Sequence, residues 1–303
     1  MERYDVIIIG GGPAGLTAGL YAARSGLKSV LLERGNFGGQ IVNARLVENY
    51  PGFPEGISGS ELGEFMQRQA TKYGLESLTT EVTKVKTGDS YEVSTTEGYI
   101  RSESIIIAAG SEYRKLGVTG EERLSGRGIS YCATCDGFFF RDREVAVVGG
   151  GDTAITDALE LAQHCRKVYI IHRRDQLRAT KALQEKAFSQ PKIEMVWNMV
   201  VKEIVGDKML RSLRLQNVET GQSSDLEVDG VFVAVGIKPN SQVFSQLVAL
   251  DEAGFIVTDE LMGTSAPGIF AAGDIRHNSF RQVITAAGDG AAAAMSASKY
   301  VQE

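Results

Sequence analysis

Cysteine is scarce in this chain: three in 303 residues, at Cys132, Cys135 and Cys165. That excludes a secreted fold stapled by a disulfide framework, which needs several bridges. Proline is also scarce, at six, while glycine reaches 35. The balance fits many tight strand-to-helix turns and argues against a proline-rich, low-complexity protein. Long apolar runs are missing. The opening "VIII" is far too short to span a bilayer. "MERYDVIIIGGG" enters a strand at once, with neither a basic leader nor a small-residue cleavage site. The expectation is a soluble protein of a reducing compartment, most simply the cytoplasm, away from membranes. No single sign of charge dominates either: 32 bases face 38 acids, for a net −6. This favours solubility and argues against general nucleic-acid binding.

What is present organises itself into two similar units. At 43% hydrophobic residues, a chain of 303 can bury the cores of two ordinary domains. Val6 to Ile9 is a continuous apolar run, as in a parallel strand buried on both faces. Gly10, Gly12 and Gly15 follow with the spacing GxGxxG, then a helical pattern through Leu16, Leu20 and Ala23. "SVLLE" is a second strand and ends on Glu33. In this pattern the first glycine makes the tight turn and the second lets the backbone approach a pyrophosphate. The third lets helix pack on strand. The helix N-terminus attracts the phosphate charge, and Glu33 can accept from ribose hydroxyls.

The order repeats from Glu144 to Val148. The turn is Gly149-x-Gly151-Asp152-Thr153-Ala154, followed by a helix and the strand "KVYII". Here the second strand ends not on an acid but on His172-Arg173-Arg174, with Arg178 close behind. An acid repels a phosphorylated ribose, whereas guanidinium forks bind phosphate. The first turn should therefore hold a dinucleotide with free ribose hydroxyls, and the second should prefer NADPH to NADH. A solvated basic patch is the other reading of the arginines. "VDGVFVAVGIKPNS" and "GIFAAGDI" read as further strands, and "RQVITAAGDGAAAAMSASKYV" as a small-residue helix. The second unit thus looks inserted in the first. The expected fold is α/β, two Rossmann-like doubly wound domains, with 1–113 and 242–303 forming one and 114–241 the other.

Cys132 and Cys135 stand two residues apart and lead directly into the second glycine turn. A zinc site needs about four ligands. Beyond the pair only Cys165 and three histidines remain, His164, His172 and His277, with no second CxxC. No metal site is expected. In a reducing compartment a redox-active pair is the better reading, because CxxC spacing lets the sulfurs bond and part repeatedly.

Together "IIGGGPAGLTAGLYAAR", "GGQ", "ENYPGF", "CATCDGFFF", "GGGDTA", "HRRDQLRA" and "AAGDI…RQVITAAGDG" resemble the low-molecular-weight, NADPH-dependent thioredoxin reductases of the bacterial type. The resemblance runs nearly end to end. It implies FAD in the first domain, NADPH in the second and a homodimer. It also implies that Gly10, Gly12 and Gly15 take the FAD pyrophosphate, with Glu33 on the ribose. Gly38, Gly39, Gln40 and Asn49 would line the flavin side. Gly273 and Asp274 would meet the ribityl and phosphate part, and Arg281 and Gln282 the isoalloxazine. By the same resemblance Cys135 faces the flavin, Cys132 attacks the thioredoxin disulfide, and Asp136 moves the proton. Arg127, Phe138 and Phe139 would contact thioredoxin, although core burial is the plainer reading of the rings. The chain departs from the family in having Thr156-Asp157 where a Glu-Glu pair is common, which bears on NADPH binding and not on the fold. The cysteine pair and the nicotinamide would share the inserted domain and must both react with one flavin in the other, so the inserted domain is expected to rotate between two poses. Electron supply from ferredoxin is the alternative, and relatives that use it tend to lack the arginines. A flavin sensor without turnover is another. Modules that reduce a peroxidase system carry extra domains.

Overall fold

Runs of β-branched residues without polar alternation form strands where both faces are covered. Four such runs, around Ile7, Ile106, Val147 and Phe232, form parallel pairs inside two sheets. The structure, a computed structural model, describes residues 3–44 and 46–303. It divides into two units, Met1–Glu112 with Lys238–Glu303, and Tyr113–Ile237.

The first unit begins with β1 (Arg3–Ile9), α1 (Pro13–Arg24) and β2 (Ser29–Glu33). It continues through α2 (Gly59–Thr71), β3 (Glu76–Thr79), β4 (Val82–Lys86), β5 (Tyr91–Thr95) and β6 (Gly98–Ile107). The sheet order is β3-β2-β1-β6-β5-β4; β1, β2, β3 and β6 run parallel, and β4 and β5 extend the edge antiparallel. The alternation of β1 sorts its side chains between two cores. Val6 and Ile8 pack with Leu16 and Ala18 of α1, while Ile7 and Ile9 pack with Val93 and Phe244 on the opposite face. Full burial of one such side chain contributes about 1.5–3 kcal/mol.

β7 (Ser111–Tyr113) carries the chain into the second unit, which opens with α3 (Glu121–Leu124), β8 (Ile129–Ser130) and α4 (Ala133–Asp136). Next come β9 (Glu144–Val148), α5 (Asp152–His164), β10 (Lys167–Ile171), α6 (Lys181–Ser189) and β11 (Ile193–Val196). An antiparallel meander, β12 (Met199–Gly206), β13 (Leu210–Asn217) and β14 (Ser223–Glu227), precedes β15 (Gly230–Val233). The order β11-β10-β9-β15-β8 is parallel throughout and repeats the plan of the first unit. β16 (Ile237–Pro239) returns and pairs with β7 as a short ribbon. Pro239 ends that strand, and the Asn240 amide donates to the Gly110 carbonyl at 3.1 Å. The outer unit therefore resumes at Lys238, a few residues ahead of the expected 242. β17 (Ile269–Ala271) joins β6, and α7 (Val283–Gln302) closes the first unit. The small residues of α7 permit a close approach: a Cβ on Gly290 would stand 2.1 Å from the Ala14 carbonyl oxygen of α1. Among the described residues, no helix is long and apolar enough to cross a membrane.

Candidate active site

The three glycines of the first turn are held for different reasons. A Cβ on Gly10 would stand 2.3 Å from the Ala108 carbonyl oxygen, and one on Gly15 would stand 1.8 Å from that of Gly10. These two are fixed by the fold. Gly12 is not: the nearest atom to a Cβ there would be Gly39 Cα at 3.9 Å. Its open side leaves the room that close approach by a phosphate requires. Gly12 is also the N-cap of α1 and supplies no side-chain hydrogen bond, whereas α2 is capped by Ser58 Oγ. The first-turn amides that follow Pro13 therefore receive no acceptor from the cap side chain, as suits an anion site. Gly12→Ala is expected to keep the unfolding free energy within about 0.5 kcal/mol of the parent and yet lose bound flavin. Denaturant unfolding read beside visible absorbance checks this, because Gly10→Ala should lose both.

Around this turn the structure gathers most of the residues expected of a flavin site. Glu33, at the end of β2, accepts from the Gly11 amide at 2.6 Å and from the Gly35 amide at 2.8 Å. The Gly38 amide donates to the Gly11 carbonyl at 2.8 Å, and Gly39 lies against Gly12. Gln40 Nε2 donates to the Ser111 carbonyl. Gly273 approaches α1 so closely that a Cβ would meet Ala14 Cβ at 2.9 Å. Asn49 Nδ2 donates to Gln282 Oε1 at 3.1 Å, and Gln282 caps α7. Burial pushes Asp274 up to about 6, with Arg281 opposing and Asp289 adding. Arg281 is in the left-handed region at φ 55°, and its Nε is buried without a hydrogen-bond partner. Its guanidinium lies 5.2 Å from the Phe255 ring centroid, a cation–π distance. An orphaned donor on a strained arginine beside a half-buried carboxyl suits a polar ligand group.

Three contributors here left no mark in the sequence reading. Asp289, on α7, accepts from the Gly273 amide at 3.1 Å and pairs with Arg276 at 2.6 Å, so it fixes the turn that presents Asp274. Gly11 donates to Glu33, and Phe255 supports Arg281. Each acts through contacts between residues well apart in the chain, which no local spacing announces.

The second turn follows the same logic. A Cβ on Gly149 would meet the Ala234 carbonyl oxygen at 2.5 Å, while one on Gly151 would meet nothing within 4 Å. Gly151 caps α5 without a side-chain hydrogen bond, Asp152 and Thr153 begin the helix exposed, and Ala154 is buried. Asp152 accepts from the Thr180 amide at 2.7 Å, and the Gly150 carbonyl accepts from the Arg178 amide at 2.7 Å. These bonds staple the arginine segment to the turn. Arg173, Arg174 and Arg178 are exposed, and among the described residues no acid pairs with their guanidiniums. His172 differs from them: it is 6% exposed, its ring lies under Gly150, and burial holds it below its ordinary value. Its place is beneath the turn.

Thr156 is exposed and Asp157 half-buried on α5. Burial, with Glu160 nearby, pushes Asp157 up from 3.8 to about 7. A carboxyl raised on folding contributes fully in its neutral form, below about pH 4, and that contribution is lost as pH rises through about 7. Asp157→Asn should match the parent at about pH 4 and exceed its stability at about pH 8, by about 4 kcal/mol at the upper limit. Urea unfolding across that range measures the difference.

Cys132 and Cys135 form a disulfide across α4, with Cys132 as N-cap accepting from the Cys135 amide at 3.2 Å. Cys135 is exposed and Cys132 half-buried. Asp136 follows directly, and burial raises it while a hydrogen bond from Ser130 lowers it. Cys165 is fully buried, with its thiol pushed up to about 11 by burial. Phe138 and Phe139 are 61% and 50% exposed, whereas Phe140 meets Phe232 edge to face. Arg127 is exposed as well. Core burial therefore describes Phe140 better than its two neighbours.

Two phosphate-ready turns, one followed by an acid and one by arginines, together with a cysteine pair, define a nucleotide-dependent disulfide oxidoreductase of two Rossmann-like domains. A family model for pyridine nucleotide-disulphide oxidoreductases matches residues 4–290, and the chain belongs to that family. It is 49% identical over 302 residues to the thioredoxin reductase of Listeria innocua, covering 99% of this chain and 94% of that one. The crystal structure of thioredoxin reductase from Streptococcus pyogenes superposes with a TM-score of 0.95 at 46% identity, over 99% of this chain and 98% of the other. That of Lactococcus lactis in its "FR conformation" gives 0.67 at 47% identity, over 99% of both chains.

Proposed function

We propose that the protein is an NADPH-dependent thioredoxin reductase with FAD in the first unit, working in the cytoplasm as a homodimer. The observation that carries the reading is a Cys132–Cys135 disulfide in the same unit as three exposed arginines that, among the described residues, have no acidic partners. FAD, when bound, would supply a two-electron relay between a nicotinamide hydride and the disulfide. Gly10, Gly12, Gly15 and the N-terminus of α1 would hold its pyrophosphate, Glu33 the ribose, and Asp274, Arg281, Gln282 and Asn49 the flavin end. Gly149, Gly151 and the α5 N-terminus would hold NADPH, with Arg173, Arg174 and Arg178 on its 2′-phosphate.

The protein's own part in exchange is thiol chemistry. The Cys132 thiolate attacks one sulfur of the thioredoxin disulfide, a mixed disulfide forms, and the other thioredoxin sulfur leaves as a thiolate. Cys135 then attacks Cys132 Sγ, which re-forms the internal disulfide and frees the second thioredoxin sulfur. Asp136 takes the proton from the attacking thiol and returns it to a leaving sulfur. Phe138, Phe139 and Arg127 offer apolar and cationic contact to the partner. The exposed Cys135 and half-buried Cys132 fit a unit that rotates to exchange which sulfur meets which partner. The test is thioredoxin-disulfide reduction with NADPH, NADH or reduced ferredoxin as donor. NADPH should be strongly preferred; turnover with ferredoxin alone would favour the alternative.

A further inference from the structure

Ser130 is buried, and its Oγ sits among three groups that matter to the cysteine pair. It is 2.6 Å from Asp136 Oδ2, 3.1 Å from the Cys132 amide nitrogen and 3.2 Å from the Cys132 carbonyl oxygen. A hydroxyl has one proton to donate and two lone pairs to accept with. It cannot donate to Asp136 and to the Cys132 carbonyl together. Two complete arrangements remain. With Asp136 ionised, Ser130 donates to Oδ2 and accepts from the Cys132 amide. With Asp136 protonated, Oδ2–H donates to Ser130 Oγ, the Cys132 amide still donates to it, and the Ser130 proton turns to the Cys132 carbonyl.

Neither arrangement strands a buried polar group, which ordinarily makes a buried carboxyl resist changing its charge. We propose that Ser130 is a positioning residue for disulfide exchange, reversing its hydrogen bond to Asp136 as that carboxyl takes and returns the thiol proton. The inference rests on the reading of Asp136 as the acid–base group. Protons balance: the one taken from the attacking thiol resides on Asp136 and passes to a leaving sulfur, while Ser130 keeps its own.

Other ionisable groups surround this network. On α5, Glu160 accepts from the Thr134 hydroxyl at 3.0 Å, with Asp157 and His164 on the same helix. On the other side Glu121 of α3 accepts from the Tyr131 hydroxyl at 2.9 Å, and Arg141 follows the 3-10 turn Gly137–Phe140. The reduced thiols themselves complete the set. The two influences on Asp136 are burial and Ser130.

The test is the pH profile of thioredoxin reduction by prereduced protein in a single turnover. Asp136→Asn identifies the inflection that belongs to Asp136. Ser130→Ala should move that inflection up by about one to two pH units, the size of a lost hydrogen bond to a carboxylate. Ser130→Thr should return it toward the parent, and Ser130→Ala combined with Asp136→Asn should show no shift. If Ser130→Ala is insoluble, Ser130→Cys keeps a weaker donor and should give a smaller shift in the same direction. An unmoved inflection in the Ser130 variants overturns the proposal while leaving Asp136 in its role. An inflection that survives Asp136→Asn overturns both.

Discussion

Replacing Cys135 with serine is expected to lower NADPH-driven thioredoxin turnover by roughly 10⁴-fold or more, since exchange has no second thiol to resolve it. Reduction of the flavin by NADPH should survive, because the nucleotide turn at Gly149–Gly151 does not depend on the sulfur. Cys132 should still attack thioredoxin, so a stable mixed disulfide should accumulate and appear as a covalent adduct by mass. Cys132→Ser should abolish turnover equally but form no adduct of that kind. Adduct formation through Cys135 instead would reverse the two assigned roles, which the greater exposure of Cys135 makes worth measuring. Full turnover in either variant would remove the pair from the pathway.

The second large effect concerns coenzyme choice. Changing Arg173, Arg174 and Arg178 together to glutamine should raise the KM for NADPH by roughly 10²–10⁴-fold, since a charge-assisted bond is worth about 1.5–3 kcal/mol. At saturating NADPH, kcat should stay near the parent, because these contacts bind ground and transition states alike. KM for NADH, which lacks the 2′-phosphate, should change little. His172 is left intact in this design because its buried ring packs under Gly150, where substitution would disturb the turn itself. Equal loss with both coenzymes would mean that the arginines shape the unit without reading the phosphate.

The sequence disclosed those parts of the fold that repeat locally. Each βαβ opening shows itself through an apolar run, a glycine spacing and a helical period, all within about thirty residues. The small-residue helix α7 was equally legible, since alanine and glycine at close spacing leave little else to form. The meander of β12, β13 and β14 was not. Strands such as "LRSLRLQN" expose one face to water and carry no glycine or cysteine signature. In the site, the divergence of Glu33 from Arg173-Arg174 was readable because ribose recognition falls at a fixed point after the second strand. Ser130 and Asp289 were not, since each acts through a bond made only once the chain has folded. The glycine spacing separates the turn-making Gly10 from Gly12, but not what holds them: Gly10 is jammed against Ala108, which lies far along the chain, while Gly12 has open space beside it.

The most direct measurement is an anaerobic titration of the oxidised, flavin-loaded protein with NADPH, followed by thiol alkylation under denaturing conditions and peptide mass analysis. Before reductant, alkylation should mark Cys165 alone. After one equivalent of NADPH, label should appear at both Cys132 and Cys135, with coenzyme oxidation matching disulfide loss. Oxidation of NADPH with the Cys132–Cys135 bridge left intact, or no oxidation at all, would contradict the account.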